Sequence, residues 1–362
     1  IAIIPARGGS KGIPRKNALS LAGKPLVAHN IEQAQLAKLV NRVAVSTDDA
    51  EIAAISRHYG AEVIWRPDEI SGDSASSEEA LLHALEYLSD TEDYHPDLLA
   101  FLQCTSPLTQ AEDIDGTIQA LISEKADTSL AVIPFHSYIW RSNGNGNAVG
   151  INHNKRYRPL LQEREPHYLE PGAVYVMKVP EFLQIKHRFF GKTAFHNMPS
   201  ERRLEIDELV DLEVAEVLLR EYHRQQKLER LPKTIEALAL DFDGVFTDNK
   251  VYVFQDGREA VMCDRGDGWG IGQLKSLGLP ILVISSEPNP VVRARADKLG
   301  IPSLQGLSDK VGAFFNWIGE RGINPANVVY VGNDLNDISC MTQVGCAVAV
   351  ADAHPQVQAQ AL

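Results

Sequence analysis

The sequence predicts an α/β protein of two domains, on three observations. Its 362 residues exceed what one ordinary hydrophobic core supports. Short apolar runs alternate with stretches of helical period, the pattern of a mostly parallel sheet with helices between its strands. The alternation stops in the polar run "RQQKLERLPK", closed by Pro232, and then starts again.

The first run, Ile1–Pro5, reads as a strand, and beyond the Gly-rich turn that follows it Val27, Ile31 and Ala34 share one helical face. Further strands are expected at Arg42–Ser46, Glu62–Trp65, Leu98–Leu102, Leu130–Pro134 and Ala173–Val179. Arg141–Tyr168, rich in Gly, Asn and charge, breaks the rhythm and reads as a long excursion or hairpin arm. A helix from about Asp207 to Leu228 closes the first domain, expected at residues 1–228, with a linker at 229–235 and the second domain at 236–362. There the strands are Ile235–Leu240, Val251–Phe254, Pro280–Ile284, Val328–Val331 and Ala347–Val350. Helices lie near Trp269–Leu277, Pro290–Leu299 and Lys310–Arg321.

Composition narrows the function classes. An apolar fraction of 44% and a charged fraction of 23% fit a soluble globular protein. No apolar run approaches a membrane span and no signal peptide is evident, although a start at Ile1 without Met suggests a trimmed terminus. The net charge of −13 argues against nucleic acid as a partner while leaving room for a small anion held by local cations. Cys104, Cys263, Cys340 and Cys346 show no zinc spacing and read as reduced thiols of a cytoplasmic protein.

Two segments carry chemistry. "PARGGSKGIPRKN" follows the first strand at once. Gly8, Gly9 and Gly12 let main-chain N–H groups approach an oxyanion, and Arg7, Lys11, Arg15 and Lys16 add charge. The segment matches neither dinucleotide nor P-loop spacing. In "LALDFDGVFTD" an apolar strand presents Asp241 and Asp243 at its carboxyl end, a pair suited to a phosphate and a magnesium ion.

With "VSTDD", "RPDEISGDSASSEEAL", "LQCTSPL" and "EIDELVDLEVAE", the first segment resembles the successive motifs of the cytidylyltransferases that make CMP-sialic acids, over about residues 1–222. The resemblance implies a nucleotidyltransferase-type α/β fold, a dimer, and transfer of CMP from CTP to the anomeric hydroxyl of a nine-carbon sugar acid. It implies a nucleotide cradle of Arg7, Ser10, Lys11, Lys16 and Asn17, with Lys16 stabilising the leaving charge and Arg66 and Ser77 helping to hold the nucleotide. Capping of the helix near Glu78 is the competing role for Ser76 or Ser77. Gln103, with Thr105 and Ser106 behind it, faces the sugar. Glu205 and Asp207, two apart on an extended segment, suit Mg²⁺ beside a triphosphate; Asp211 is either a third ligand or a helix cap. Where some synthetases carry "RPNGA", whose Arg contacts the sugar carboxylate, this chain reads "LEPGA", leaving Arg158 or Arg164 as substitutes and the identity of the sugar acid open.

The second segment resembles the haloacid dehalogenase superfamily, in particular the small phosphatases of 3-deoxy-sugar acids, with four motifs in order over about residues 236–352. The resemblance implies a small Rossmann-like fold without a large cap. It assigns Asp241 as nucleophile, Asp243 as acid–base, and Ser285 and Lys310 as phosphoryl ligands. It also implies Mg²⁺ at Asp334, Asp241 and the main-chain carbonyl of Asp243, with Asp337 either an orienter of its neighbours, the favoured role, or a helix-start acid. Two departures stand out: "SSE" replaces a Gly-Arg pair after Ser285, and the chain stops at "QVQAQAL", before the tail that closes such sites. With little room for a cap, a neighbouring subunit or an open mouth is left to admit substrate.

Together the resemblances imply a bifunctional enzyme. Its C-terminal domain removes the 9-phosphate of a sialic acid and its N-terminal domain makes the CMP-sugar, with Mg²⁺ in both and no membrane partner. The alternative is the same synthetase with a non-catalytic C-terminal module for tetramerisation. The presence of Asp241, Asp243, Lys310 and Asp334 favours catalysis.

Overall fold

The structure is a computed structural model that describes residues 1–10, 12–72, 75–157 and 160–362. The chain divides into two compact units, 1–222 and 223–362. The division falls inside the Leu209–Glu229 helix, whose buried residues, Ala215 and Leu219, pack in the N-terminal core and whose later turns are polar.

In the first unit the described residues form an eight-stranded sheet that runs in the order His167–Leu169, Thr128–Phe135, Val174–Lys178, Leu98–Leu102, Ala2–Pro5, Val43–Thr47 and Glu62–Trp65, with Thr193–Asn197 also pairing with Thr128–Phe135. The half holding Ala2–Pro5 is parallel, as the alternating pattern requires. Val174–Lys178 enters antiparallel between Leu98–Leu102 and Thr128–Phe135. The two faces bury separate clusters, one holding Ile4, Val27 and Ile31 and the other Ile3, Leu85 and Phe101, as expected of a sheet covered on both sides. In the excursion, Trp140–Ser142 pairs antiparallel with Ala148–Gly150 as a hairpin. The strand Thr193–Asn197 has no counterpart in the sequence reading; "TAFHN" is too short and too polar to declare itself.

The second unit has a five-stranded parallel sheet in the order Ser303–Leu304, Ile281–Ile284, Ala237–Leu240, Val328–Gly332 and Cys346–Ala349. Ala237–Leu240 lies in the centre, so its carboxyl end opens between two neighbours, where such sheets place ligands. Between the first two motifs stand only the small hairpin Tyr252–Val253/Glu259–Ala260 and the Gly266–Ser276 helix, which leaves no large cap.

Candidate active sites

The first site forms where Ala2–Pro5, Val43–Thr47 and Leu98–Leu102 end side by side. A cavity of about 390 Å³ opens there. Arg7, Ser10, Lys16 and Asn17 line it from the first loop, Arg66 and Ser77 from the next, and Gln103, Thr105, Glu205 and Asp207 from the far side. Lys11 lies outside the described residues.

Local contacts explain how the first loop is shaped. The Gly8 N–H donates to Asp48 Oδ1 at 2.9 Å. A Cβ on Gly12 would come 2.6 Å from the Asp207 main-chain oxygen, so glycine lets the loop lie against the 205–207 segment. Lys16 Nζ donates to Ile206 O and stands 3.6 Å from Asp207 Oδ1. Arg15 is turned away from the cavity, bonding Asp49 at 3.0 Å and also Glu51.

Several groups are poised for an anionic ligand. Arg66 is buried, its Nε and Nη2 make no hydrogen bond, and Asp48 Oδ1 stands 3.7 Å away. Burial lowers the Arg66 pKa, with Asp48 opposing and Arg7 adding to the shift. Asn17 Nδ2 donates to Arg7 O at 3.0 Å while its buried Oδ1 has no partner. Ser76 is the N-cap of the Ser77–Glu92 helix in a capping box with Glu79, so Ser77 is the serine that begins the helix itself.

Glu205 and Asp207 flank the buried Ile206, as residues two apart on extended backbone must. Glu205 Oε1 accepts from Thr105 Oγ1 at 3.0 Å and from Gln103 Nε2. Burial raises the Glu205 pKa, Thr105 opposes, and Asp207 adds to the rise. Gly172, at φ +66°, stands so close that a Cβ would lie 2.9 Å from Glu205 Oε2.

Two expected residues are placed elsewhere. Asp211 Oδ2 accepts from the N–H groups of Asp207 at 2.9 Å and Glu208 at 2.8 Å, which is its capping role, and it does not line the cavity. Arg164 Nη1 donates to His136 O at 2.7 Å and Nη2 to Ser137 O at 3.2 Å, with the guanidinium 4.4 Å from the Tyr138 ring centre. It braces the base of the excursion, because main-chain acceptors lie within its reach; Arg158 lies outside the described residues. The sequence reading passed over Asp48, although "VSTDD" contains it.

The second site is a cavity of about 190 Å³ lined by Asp241, Asp243, Ser285, Glu287, Asn333 and Asp334 among others. Lys310 Nζ, buried at the start of its helix, donates to Asp241 Oδ1 at 2.7 Å and to Asp337 Oδ1 at 2.6 Å. Asp337 is fully buried and also accepts from Tyr330 OH and the Asn333 N–H, each at 2.9 Å. It therefore holds Lys310 and the Asn333–Asp334 loop together. Burial raises the Asp241 pKa, with Lys310 opposing; burial followed by the nearby Glu287 raises that of Asp243. Ser285 Oγ accepts from the Glu287 N–H at 3.0 Å, which turns the "SSE" loop over the cavity. Asn333 is buried and its Oδ1 has no partner.

Among the described residues no three His, Cys, Asp or Glu side chains converge as a metal-binding group. The first cavity instead offers the pair Glu205 and Asp207, and the second offers Asp241 and Asp334 beside Asp243 and Glu287. That donor set fits Mg²⁺, which takes one or two carboxylates and completes its shell with water, carbonyl and phosphate oxygens.

Comparison with known proteins gives matches in both units. A family model described as cytidylyltransferase matches residues 1–231, and one described as haloacid dehalogenase-like hydrolase matches residues 305–362. The chain is 30% identical to N-acylneuraminate cytidylyltransferase A of Danio rerio over 97% of this chain and 81% of that protein. It is 34% identical to N-acylneuraminate cytidylyltransferase of Escherichia coli over 62% of this chain and 53% of that protein. Among solved structures, 3-deoxy-D-manno-octulosonate 8-phosphate phosphatase from Yersinia pestis is 35% identical, covering 38% of this chain and 72% of its own, with a TM-score of 0.35.

Proposed function

This chain belongs to the cytidylyltransferase family, and on that premise we propose that it is a CMP-sialic acid synthetase whose second domain hydrolyses the 9-phosphate of the sialic acid precursor. The observation that carries the first half is the 390 Å³ cavity, which brings Arg7, Lys16 and Arg66 together with the carboxylates of Glu205 and Asp207. Arg7, Lys16 and Arg66 bind the triphosphate, and Ser10, Asn17 and Ser77 supply neutral contacts. Gln103 faces the sugar acid. Its anomeric oxygen forms a bond to the α-phosphorus as the bond to pyrophosphate breaks, and the hydroxyl proton leaves to solvent. Lys16 meets the charge that develops on the departing pyrophosphate. Glu205 and Asp207 would hold Mg²⁺, which neutralises triphosphate charge when bound.

In the second domain the carboxylate of Asp241 attacks phosphorus as the bond from phosphorus to the sugar oxygen breaks, Asp243 protonates that oxygen and later takes a proton from the water that hydrolyses the aspartyl-phosphate to free Asp241 and phosphate, and Ser285 and Lys310 hold the transferred group. The raised pKa of Asp243 suits a group that must first donate a proton. Asp334, Asp241 and the Asp243 carbonyl would hold the metal. The wider reading is a cytoplasmic enzyme with no nucleic-acid partner, dimeric through its N-terminal domain and tetrameric through its C-terminal domain. The free thiols of Cys104, Cys263, Cys340 and Cys346 support the reducing compartment of that reading. No described helix is long and apolar enough to cross a membrane.

The test is release of phosphate and pyrophosphate from the protein given CTP, Mg²⁺ and sialic acid 9-phosphate, beside an Asp241→Asn variant. Phosphate release followed by CMP-sugar, with phosphate lost in the variant, is expected. CMP-sugar from free sialic acid without phosphate from the 9-phosphate would overturn the second half.

A further inference from the structure

Outside the first cavity a bracket of side chains joins its two walls. One wall is the first turn of the Ser77–Glu92 helix, which presents Ser77. The other is lined by Gln103 and Glu205 and backed by residues 170–172, where Gly172 abuts both side chains and the Pro171 and Gly172 carbonyls accept from Ser106 Oγ at 3.4 and 3.2 Å. Arg188 spans the two. Its Nε donates to Glu78 Oε1 at 2.6 Å and its Nη2 to Glu78 Oε2 at 3.2 Å. The same guanidinium stacks 4.8 Å from the Tyr175 ring centre and 5.1 Å from that of Phe101. Tyr175 OH in turn donates to Glu170 Oε1 at 2.5 Å. The Arg188 and Glu78 side chains are only 18% and 14% exposed. Glu78, Tyr175 and Arg188 are not among the cavity-lining residues.

We infer that Arg188 is a positioning residue for nucleotidyl transfer: through Glu78 and Tyr175 it sets the spacing between the wall that holds the nucleotide and the wall that holds the sugar acid. This rests on the reading of the cavity as the CTP and sugar-acid site. Attack on the α-phosphorus requires the two substrates to be held within about 3–3.5 Å of each other and in line, and a misplacement of about 1 Å costs roughly a hundredfold in rate. A flat guanidinium can fork onto a carboxylate and stack on two rings at once, which the point charge of a lysine cannot do. Glu78 directly follows Ser77, and Glu170 stands two residues before Gly172, so movement of either partner is passed to the cavity.

The test uses the full chain with CTP, Mg²⁺ and a free sialic acid, together with hydrogen exchange of the protein alone. The double variant Arg188→Met/Glu78→Gln removes the bracket without leaving one buried charge unpaired. Well below its melting temperature it is expected to lose about thirtyfold in kcat/KM, chiefly in kcat, since the phosphate-binding cations are intact. Arg188→Lys is expected to recover part of that loss. Tyr175→Phe, which keeps the stacking and loses the bond to Glu170, is expected to raise KM for the sugar acid and leave KM for CTP in place. Amide exchange in the double variant should quicken at residues 77–80 and 170–173 and stay unchanged in the Ala50–His58 helix. A folded double variant within about twofold of the wild-type kcat/KM, or with unchanged exchange at both walls, would overturn the inference. A wild-type chain that makes no CMP-sugar would instead sink the substrate reading, and the exchange pattern would still decide the bracket.

Discussion

Arg66 offers a test in which stability and binding move in opposite directions. The residue is buried, two of its guanidinium nitrogens make no hydrogen bond, and its one nearby carboxylate stands 3.7 Å away. An unsatisfied buried polar group costs about 1–3 kcal/mol, more when charged. Arg66→Met keeps most of the apolar stem and removes the charge. Asp48 is not orphaned by the change, because it still accepts from the Gly8 N–H at 2.9 Å. Two relieved nitrogens, less about 1 kcal/mol for the lost attraction to Asp48, leave a gain of about 1–5 kcal/mol for the ligand-free protein. A bond from a charged donor to phosphate contributes about 1.5–3 kcal/mol, so CTP should bind roughly ten- to a hundredfold more weakly. Urea denaturation without nucleotide and calorimetric titration with CTP and Mg²⁺ read the two effects. A variant less stable than wild type by more than about 1 kcal/mol, or one binding CTP within about threefold of wild type, would refute the argument that two Arg66 nitrogens are held without hydrogen bonds for an anion.

Other outcomes follow from the same reasoning. Asp337→Asn replaces a buried acceptor of Lys310, Tyr330 and main-chain bonds, so it should cost about 2–4 kcal/mol in denaturation of the second unit and depress phosphate release. Gly172→Ala places a Cβ at φ +66° and 2.9 Å from Glu205 Oε2. It should cost about 1–3 kcal/mol and reduce CMP-sugar formation about tenfold, measured by unfolding and by steady-state rate. Burial works against the charge of Glu78, yet the Arg188 guanidinium holds its pKa below the ordinary glutamate range. The stability from that pair is therefore complete above the ordinary range and is lost as pH falls through the depressed value. A Tm deficit of Glu78→Gln, equivalent to about 1–2 kcal/mol at neutral pH, should shrink in strong acid; a deficit constant with pH would contradict the assignment.

Local patterns in the chain were enough to locate most strands. Leu98–Leu102 coincides with expectation to the residue, because a buried strand needs an unbroken apolar run bounded by turns, and Glu62–Trp65 coincides too, although only Ile64 of this edge strand is buried. The segments that build both cavities were also visible, since a glycine-rich turn after a strand and acids at a strand end are local signals. Sheet order was not visible: nothing local says that Val174–Lys178 runs antiparallel between two distant strands, or that "TAFHN" pairs at all.

The sequence by itself determined the two α/β alternations, the residue types at the strand ends and hence the reaction classes open to them. Tertiary structure alone decided which charges face a ligand. Arg15 and Arg164 have the same chemistry as Arg66, but the first two find acceptors nearby and Arg66 is buried among too few. Asp211 has the same carboxylate as Asp207, but main-chain N–H groups at a helix start claim it. Arg188 meets Glu78 across 110 residues of chain. The physical reason is that a side chain's role depends on which partners compete for it in space, and those partners come from parts of the chain that only folding brings together.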